Sequence, residues 1–369
     1  MGDRWRATHD RALILWLHRR WNPGLFELAG QYSHLRPSDF PAERFNSWTH
    51  RSGGHFDGFT LAHIDDERAV VQELWAKSTG LSDWNVPNWD SRDLRRLDET
   101  WELVRRIQET AGRPTFVRVP NDNPFGRLFA IRFQLPLETS LLLATRRPGF
   151  VRYVRLPAGY GIRPYGVGDE VAYASIHNRC FNASVDADEM RRWASGPRQE
   201  SFTATFHGNP VGFFIAEVRR GRRLGDFNLA VSEGHRGRRI GTALLAAGLR
   251  SFERREVTTV IADHWATNAP AVEFYRRHGF GIARTYDFFR IDEATLEVPK
   301  PVGADPEGRA ARLRRYRQLR RFDRVSRREH RRQDHEVRYC GNLRRRRCRN
   351  LRRSTCEDQR TTCPHAVYL

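Results

Sequence analysis

Two stretches of this chain spell out the same order of elements: helices, a hairpin, a strand, a long helix, a strand, a short helix and a last strand. In the first stretch, residues 11 to 27 (RALILWLHRRWNPGLFE) read as an amphipathic helix ending at Asn22-Pro23-Gly24. Pro37 to His50 reads as a second helix, with Ser38 or Asp39 as its cap. Gly58 to Val71 reads as a hairpin turning at Asp65-Asp66, and Leu81 to Asp90 as a further strand. Arg92 to Gly112 is a long helix with Leu94, Leu97, Trp101, Val104 and Ile107 on one face. The β-branched run Thr115 to Val119, the short helix Phe125 to Phe133 and the strand Thr139 to Thr145 close the copy.

The second stretch begins near Tyr160. Gly161 to Tyr165 reads as a strand, Gly168 to Phe181 and Asp186 to Ser195 as helices. Ser201 to His207 and Val211 to Val218 alternate about His207-Gly208-Asn209-Pro210, a hairpin signal. Thr258 to Asp263 is a strand, Ala269 to His278 a helix stopped by Gly279, and Ile282 to Ile291 the last strand. Such a duplication predicts an α+β protein of two modules, each a mixed, mostly antiparallel twisted sheet flanked by helices. The expected boundaries are 1–150 and 151–298, with an Arg-rich, low-complexity and disordered tail over 299–369.

Charge divides the chain the same way. The net charge is +20 over 369 residues, yet 21 arginines against 8 acidic residues lie beyond Lys300, so the body is only mildly basic. Cys180 is the only cysteine ahead of the tail, which excludes a disulfide framework in the body and points to the cytoplasm. No apolar run approaches the roughly 18 residues of a membrane span, so no membrane partner is expected.

The chemistry concentrates in Phe227 to Leu245, FNLAVSEGHRGRRIGTALL. An alternating strand (Phe227, Leu229, Val231) stops at Ser232-Glu233-Gly234, and a basic, glycine-bearing turn leads into a helix with Ile240, Leu244, Leu245 and Leu249 at helical spacing. The first amides of a helix lack internal partners and sit at the positive end of its dipole, so this is an anion site.

Two motifs in order give the stretch a family. Arg236-Gly237-Arg238-Arg239-Ile240-Gly241 resembles the Arg/Gln-x-x-Gly-x-Gly/Ala signature of the GNAT acyltransferase superfamily, with Arg239 in place of the first glycine. One strand later, Asn268 to Phe280 (NAPAVEFYRRHGF) is similar to that family's N-x-x-A-x-x-x-Y-x-x-x-G-F element. The resemblance covers roughly 151–292. The first copy resembles a degenerate module of the same kind. Pro120-Asn121-Asp122-Asn123-Pro124, followed by Phe125 to Phe133, loosely parallels the Asn268-Ala269-Pro270 start of the second copy's short helix, with Phe129 near the tyrosine's place, but no Gly-Phe pair closes the element. Its loop Pro87 to Asp93 has no glycine and two aspartates, which disfavours a pyrophosphate.

The resemblance implies an N-acetyltransferase that takes acetyl-CoA as co-substrate and a small-molecule amine as acceptor. Backbone from Arg236, Gly237, Arg238, Arg239, Ile240, Gly241 and Thr242 would hold the pyrophosphate. Leu229, Ala230 and Val231 would lie nearest the pantetheine, with strand amides facing the thioester carbonyl. Asn268 would orient the coenzyme, and Tyr275 would be the general acid for the leaving thiolate. The general base stays open among Asp226, Glu217, Asp263 and His264. Cys180 reads as a packed thiol, since direct transfer needs no covalent enzyme intermediate.

The tail leaves three readings open: a solvated disordered segment, an out-of-frame C-terminus, or a nucleic-acid-binding arm. The last would make the chain a catalytically silent binding protein of the same fold. Cys340, Cys348, Cys356 and Cys363 form no C-x-x-C pair, so no metal site is expected.

Overall fold

A computed structural model describes residues 5–21, 45–52, 55–76, 91–149, 154–219 and 223–291. The expected strand at Leu81 to Asp90, most of the loop at Pro87 to Asp93 and the whole tail lie outside these residues. Strands β1 (Arg6–Ala7), β2 (Asn46–Ser52), β3 (His55–Ile64), β4 (Ala69–Ala76), β5 (Thr115–Pro120) and β6 (Leu137–Arg146) belong to the first half of the chain. The second half carries β7 (Tyr160–Pro164), β8 (Gln199–Phe206), β9 (Asn209–Val218), β10 (Leu224–Val231), β11 (Thr259–Trp265) and β12 (Gly281–Ile291). Helices α1 (Arg11–Trp21), α2 (Ser91–Ala111) and α3 (Pro124–Arg132) accompany the first set. Helices α4 (Asp169–Phe181), α5 (Ala187–Ser195), α6 (Ile240–Arg254) and α7 (Ala269–Arg277) accompany the second.

One expected element is of the wrong type. The stretch Pro37 to His50 was expected to be helical, but from Asn46 onward it is strand β2, paired antiparallel with β3. Ser47, Thr49 and His50 are buried, and the β-branched and aromatic residues of NSWTHRS suit a pleated surface better than a helix face. The Ser38 and Asp39 capping signal falls among residues that are not described.

Among the described residues all twelve strands form one sheet in the order β1-β2-β3-β4-β5-β12-β6-β11-β10-β9-β8-β7. Its centre is an exchange. The last strand of the second half, β12, lies between β5 and β6, and the last strand of the first half, β6, lies between β12 and β11. Side chains reinforce the crossing. Ser140 donates to Asp287 at 2.7 Å, and Arg284 forms an ion pair with Asp122. The amides of Asn121 and Ala266 donate to Thr285 and Ser140, each to a residue of the other half.

The hairpin β8–β9 turns on His207 and Gly208 alone, both at positive φ, the two-residue geometry that matches strand twist. α6 lies close on β9 because Gly248 leaves room for the Phe214 ring; a Cβ there would stand 2.1 Å from it. α4 and α5 cover the other face of β9 and β10 through Tyr173, Met190, Phe213 and Ala230.

At the far end of the sheet, His50 is buried under the Trp5 ring and lies between two carboxylates. It donates to Asp57 at 2.6 Å and to Glu99 at 3.1 Å, while Arg96 pairs with the other oxygen of Asp57. Burial works against the charged imidazole, but the bonds to Asp57 and Glu99 outweigh it and raise the His50 pKa above its ordinary value. A raised value means that this contribution to stability is complete below about pH 6.5 and fades as pH climbs through the folded-state pKa. His50→Gln is therefore expected to cost about 2 kcal/mol at pH 6. Chemical denaturation at a series of pH values should show the gap between wild type and variant narrowing as pH rises.

Candidate active site

β10 and β11 run parallel and pair only from Leu224↔Thr259 to Asp226↔Ile261. Beyond that point both continue, β10 to Val231 and β11 to Trp265, but they part. Each is held on its outer side. β10 stays paired to β9 as far as Val231↔Gly212, and β11 to β6 as far as Trp265↔Leu141. The parting leaves the slot-facing edge of Asn228 to Val231, to which alternate residues turn their amides, without a strand partner among the described residues. Asn228, Leu229 and Val231 are half-buried there, and Ala230 is buried against α4 and α5. Unpaired, aligned amides at the wall of a slot are the donors that a developing oxyanion requires.

The basic loop stands at the mouth of this slot. A single 3-10 turn, Glu233–His235, ends at Arg236, whose amide donates to Glu233 at 3.1 Å. Gly237 (φ 76°) and Arg239 (φ 65°) then take left-handed conformations, and α6 begins at Ile240. The motif's missing glycine is thus a residue that adopts the glycine conformation without being one, at a cost of roughly 1 kcal/mol. Arg236, Arg238 and Arg239 are exposed around the first turn of α6, where Ile240, Gly241 and Thr242 present their amides. Arg236 is braced: its guanidinium donates to Val231 O at 3.0 Å and to the Cys180 thiol at 3.2 Å. Arg238 lies over the Tyr160 ring at 5.8 Å. His278 Nδ1 donates to Phe274 O at 2.7 Å, so its Nε2 accepts from the Thr242 hydroxyl at 3.1 Å, which ties the start of α6 to the end of α7.

Asn268 caps α7, its side chain accepting from Ala271 N at 3.2 Å, and it is exposed. Tyr275 sits against Phe227, Phe280 and His264, with ring centroids 5.9, 5.3 and 5.0 Å away. Burial, reinforced by the charges of Asp263 and Asp226, raises its pKa, so the phenol keeps its proton. His264 is buried, and burial pushes its imidazole down to about 4. It is therefore neutral near pH 7 and a weak base. Asp263 is open to solvent but lies deep enough among its neighbours that lost hydration, with the Asp226 charge beside it, raises its pKa. Asp226 is paired with Arg219 and accepts from Phe227 N at 2.9 Å. Glu217 lies opposite Asp226 on β9, is 44% exposed and faces Arg198 at 4.0 Å. Among the described residues no group of three or more metal-ligating side chains occurs.

The first half supplies an internal control. Asn123 caps α3 as Asn268 caps α7, its side chain accepting from Gly126 N at 3.0 Å. Leu135 N donates to Ala130 O and Phe280 N to Tyr275 O, both at 3.0 Å. Counting from the caps, Ala130 takes the place of Tyr275, one position beyond the Phe129 of sequence expectation. Gln134 (φ 52°) takes the place of Gly279 (φ 77°), and Val119 that of His264. β4 and β5 also stop pairing early, at Val71↔Val117. Here, however, the gap is bridged: Asn123 is fully buried and its amide donates across to Leu74 O at 2.7 Å.

Comparison with known proteins follows this geometry. Residues 171–280 match the family model described as Acetyltransferase (GNAT) family. A mycothiol acetyltransferase of Saccharomonospora viridis is 28% identical over 184 residues. That match takes in 44% of this chain and spans about 60% of the length of that curated relative. Among solved structures, a GCN5-related N-acetyltransferase from Sphaerobacter thermophilus superposes with a TM-score of 0.59 at 15% identity, covering 79% of this chain and 96% of its own. A tandem GNAT protein from the clavulanic acid biosynthesis pathway does so with a TM-score of 0.55 at 17% identity, covering 79% and 98%. At these identities the structural matches establish a shared fold.

The strain at Arg239 is open to direct test. Arg239→Gly is expected to raise stability by roughly 0.5–1 kcal/mol, because the left-handed cap is relieved and a cation leaves the positive end of a helix. Thermal unfolding of the ligand-free protein checks this.

Proposed function

We propose that this chain, whose residues 171–280 match the GNAT acetyltransferase family model, is an acyl-CoA-dependent N-acyltransferase that moves an acetyl group from acetyl-CoA to the amine of a small molecule. The observation that carries the reading is the open slot beyond Asp226↔Ile261, with the bare first turn of α6 at its mouth. Glycine and left-handed backbone at Gly237 and Arg239, exposed arginines and the free amides of Ile240 to Thr242 fit a pyrophosphate. The half-buried wall Asn228 to Val231 fits an extended apolar arm with amides along it. We assign orientation of that arm to Asn268, which is exposed at the start of α7.

When bound, acetyl-CoA supplies the activated acyl group. The chain does the rest. We assign proton removal from the acceptor ammonium to Asp263, whose raised pKa makes it a better base than an ordinary carboxylate, with Asp226 beside it favouring a cation at that point. Strand amides at Asn228 to Val231 face the carbonyl oxygen as it gains charge. The neutral Tyr275 hydroxyl gives its proton to the departing sulfur. Half-buried Glu217, facing Arg198, receives no step. The first module, with Ala130 for the tyrosine and its gap bridged by Asn123, is assigned no coenzyme site.

Acetyl-CoA is expected to raise the melting temperature of the whole chain, and Arg236→Glu combined with Gly241→Glu to abolish that shift. A panel of small amines, followed by release of free CoA, should find an acceptor. With it, Tyr275→Phe should lower kcat about a hundred-fold with little change in coenzyme affinity. Absence of any thermal shift with acetyl-CoA in the wild-type chain would overturn the reading.

A further inference from the structure

His264 has a feature that the reaction as assigned does not use. It lies on β11 in the stretch that has parted from β10, on the sheet face that meets α7. Only 8% of it is exposed, and its Nδ1 has no hydrogen-bond partner. A buried polar nitrogen without a partner costs about 1–3 kcal/mol. Its one close neighbour of functional interest, Tyr275, meets it ring to ring at 5.0 Å and 41°.

The fold does not require a polar group at this place. Val119, which also lies four residues ahead of a capping asparagine, fills the equivalent position in the first module with plain apolar packing against the short helix. There the neighbouring gap is closed by Asn123 bonding to Leu74 O. The polar residue therefore accompanies the open slot and the apolar one the closed slot. Among the described residues nothing meets the Nδ1, and a polar group entering the slot would supply the partner it lacks.

Resting on the coenzyme reading above, we propose that His264 Nδ1 hydrogen-bonds an amide of the pantetheine arm and thereby positions the thioester beside Tyr275. A secondary amide carries both a donor and an acceptor, so it satisfies the neutral imidazole in either tautomer. The imidazole is held neutral by burial, which suits a positioning contact and not proton abstraction from an ammonium. His264 is on this view a positioning residue, and Asp263, its neighbour on the opposite face of β11, keeps the base role.

The test compares CoA with adenosine 3′,5′-bisphosphate, which lacks the pantetheine arm, by calorimetric titration of the full chain. His264→Leu should weaken CoA about five- to ten-fold, the worth of one hydrogen bond, and leave the bisphosphate unchanged. His264→Gln, which keeps a donor and an acceptor, should recover part of the loss. The melting temperature of ligand-free His264→Leu should equal or exceed that of the wild type, since an unmet polar atom has been removed. Unchanged CoA affinity in His264→Leu overturns the proposal. An equal loss for both ligands also overturns it, because the residue would then serve the fold. Wild-type protein that binds neither ligand overturns the coenzyme reading itself, a result distinct from the other two.

Discussion

The structure depends on the exchange of two strands. β12 lies beside β5, and β6 beside β11, so each half of the chain ends inside the other. Open strand edges carry unpaired amides and carbonyls, and these must be covered. Here the cover for each module's inner edge comes from its partner. β5 ends against six residues of β12, and β11 against six of β6, while β6 and β12 pair with each other along most of their length. The twelve strands are consequently one sheet and not two sheets in contact.

The same arrangement gives two parted strand pairs, one near each end of the exchange. Their chemistry differs through a few side chains. In the first, the capping asparagine is turned inward, is fully buried, and spans the gap to Leu74 O. In the second, the capping asparagine is exposed and a histidine and a tyrosine take the positions of Val119 and Ala130. An amide bridge needs both strands within reach, so it holds its gap at a fixed narrow width. The second gap has no such bridge among the described residues.

Much of this was legible in residue patterns and some was not. The hairpin at His207-Gly208, the long helices and the Asn268 to Phe280 element declare themselves locally, because turn chemistry, helical spacing and capping are all short-range. The duplicated order was likewise legible, and the loose parallel between Pro120 to Pro124 and Asn268 to Pro270 becomes in the structure a pair of matching caps, Asn123 and Asn268. The exchange was not. Thr139 to Thr145 and Ile282 to Ile291 each read as a closing strand, and nothing in periodicity tells which module a strand closes. That is decided by pairing across more than a hundred residues. Asn46 to Ser52 failed for a related reason: its strand character comes from burial against β3 and Trp5, supplied by tertiary contact. At the site, Arg239 was legible as a departure from a glycine pattern, but only the backbone angle shows that the departure is strained.

The exchange also bears on why the second slot stays open. Its two walls touch each other over only three register pairs. What keeps them apart and aligned is their outer neighbours: seven pairs between β10 and β9, and six between β11 and β6. The β9 support comes from the same module. The β6 support comes from the other one, and β6 is in turn held by β12 along the exchange. A wall free to move would close toward its neighbour and satisfy its own amides, which would end its use as a donor surface. Held from behind, the slot-facing amides within Asn228 to Val231 keep their direction before any ligand arrives, and for the donor role proposed for them electrostatic stabilisation is largest where donors need no reorganisation. The first half of the chain thus contributes to the proposed site mechanically, by supplying the strand against which β11 is fixed.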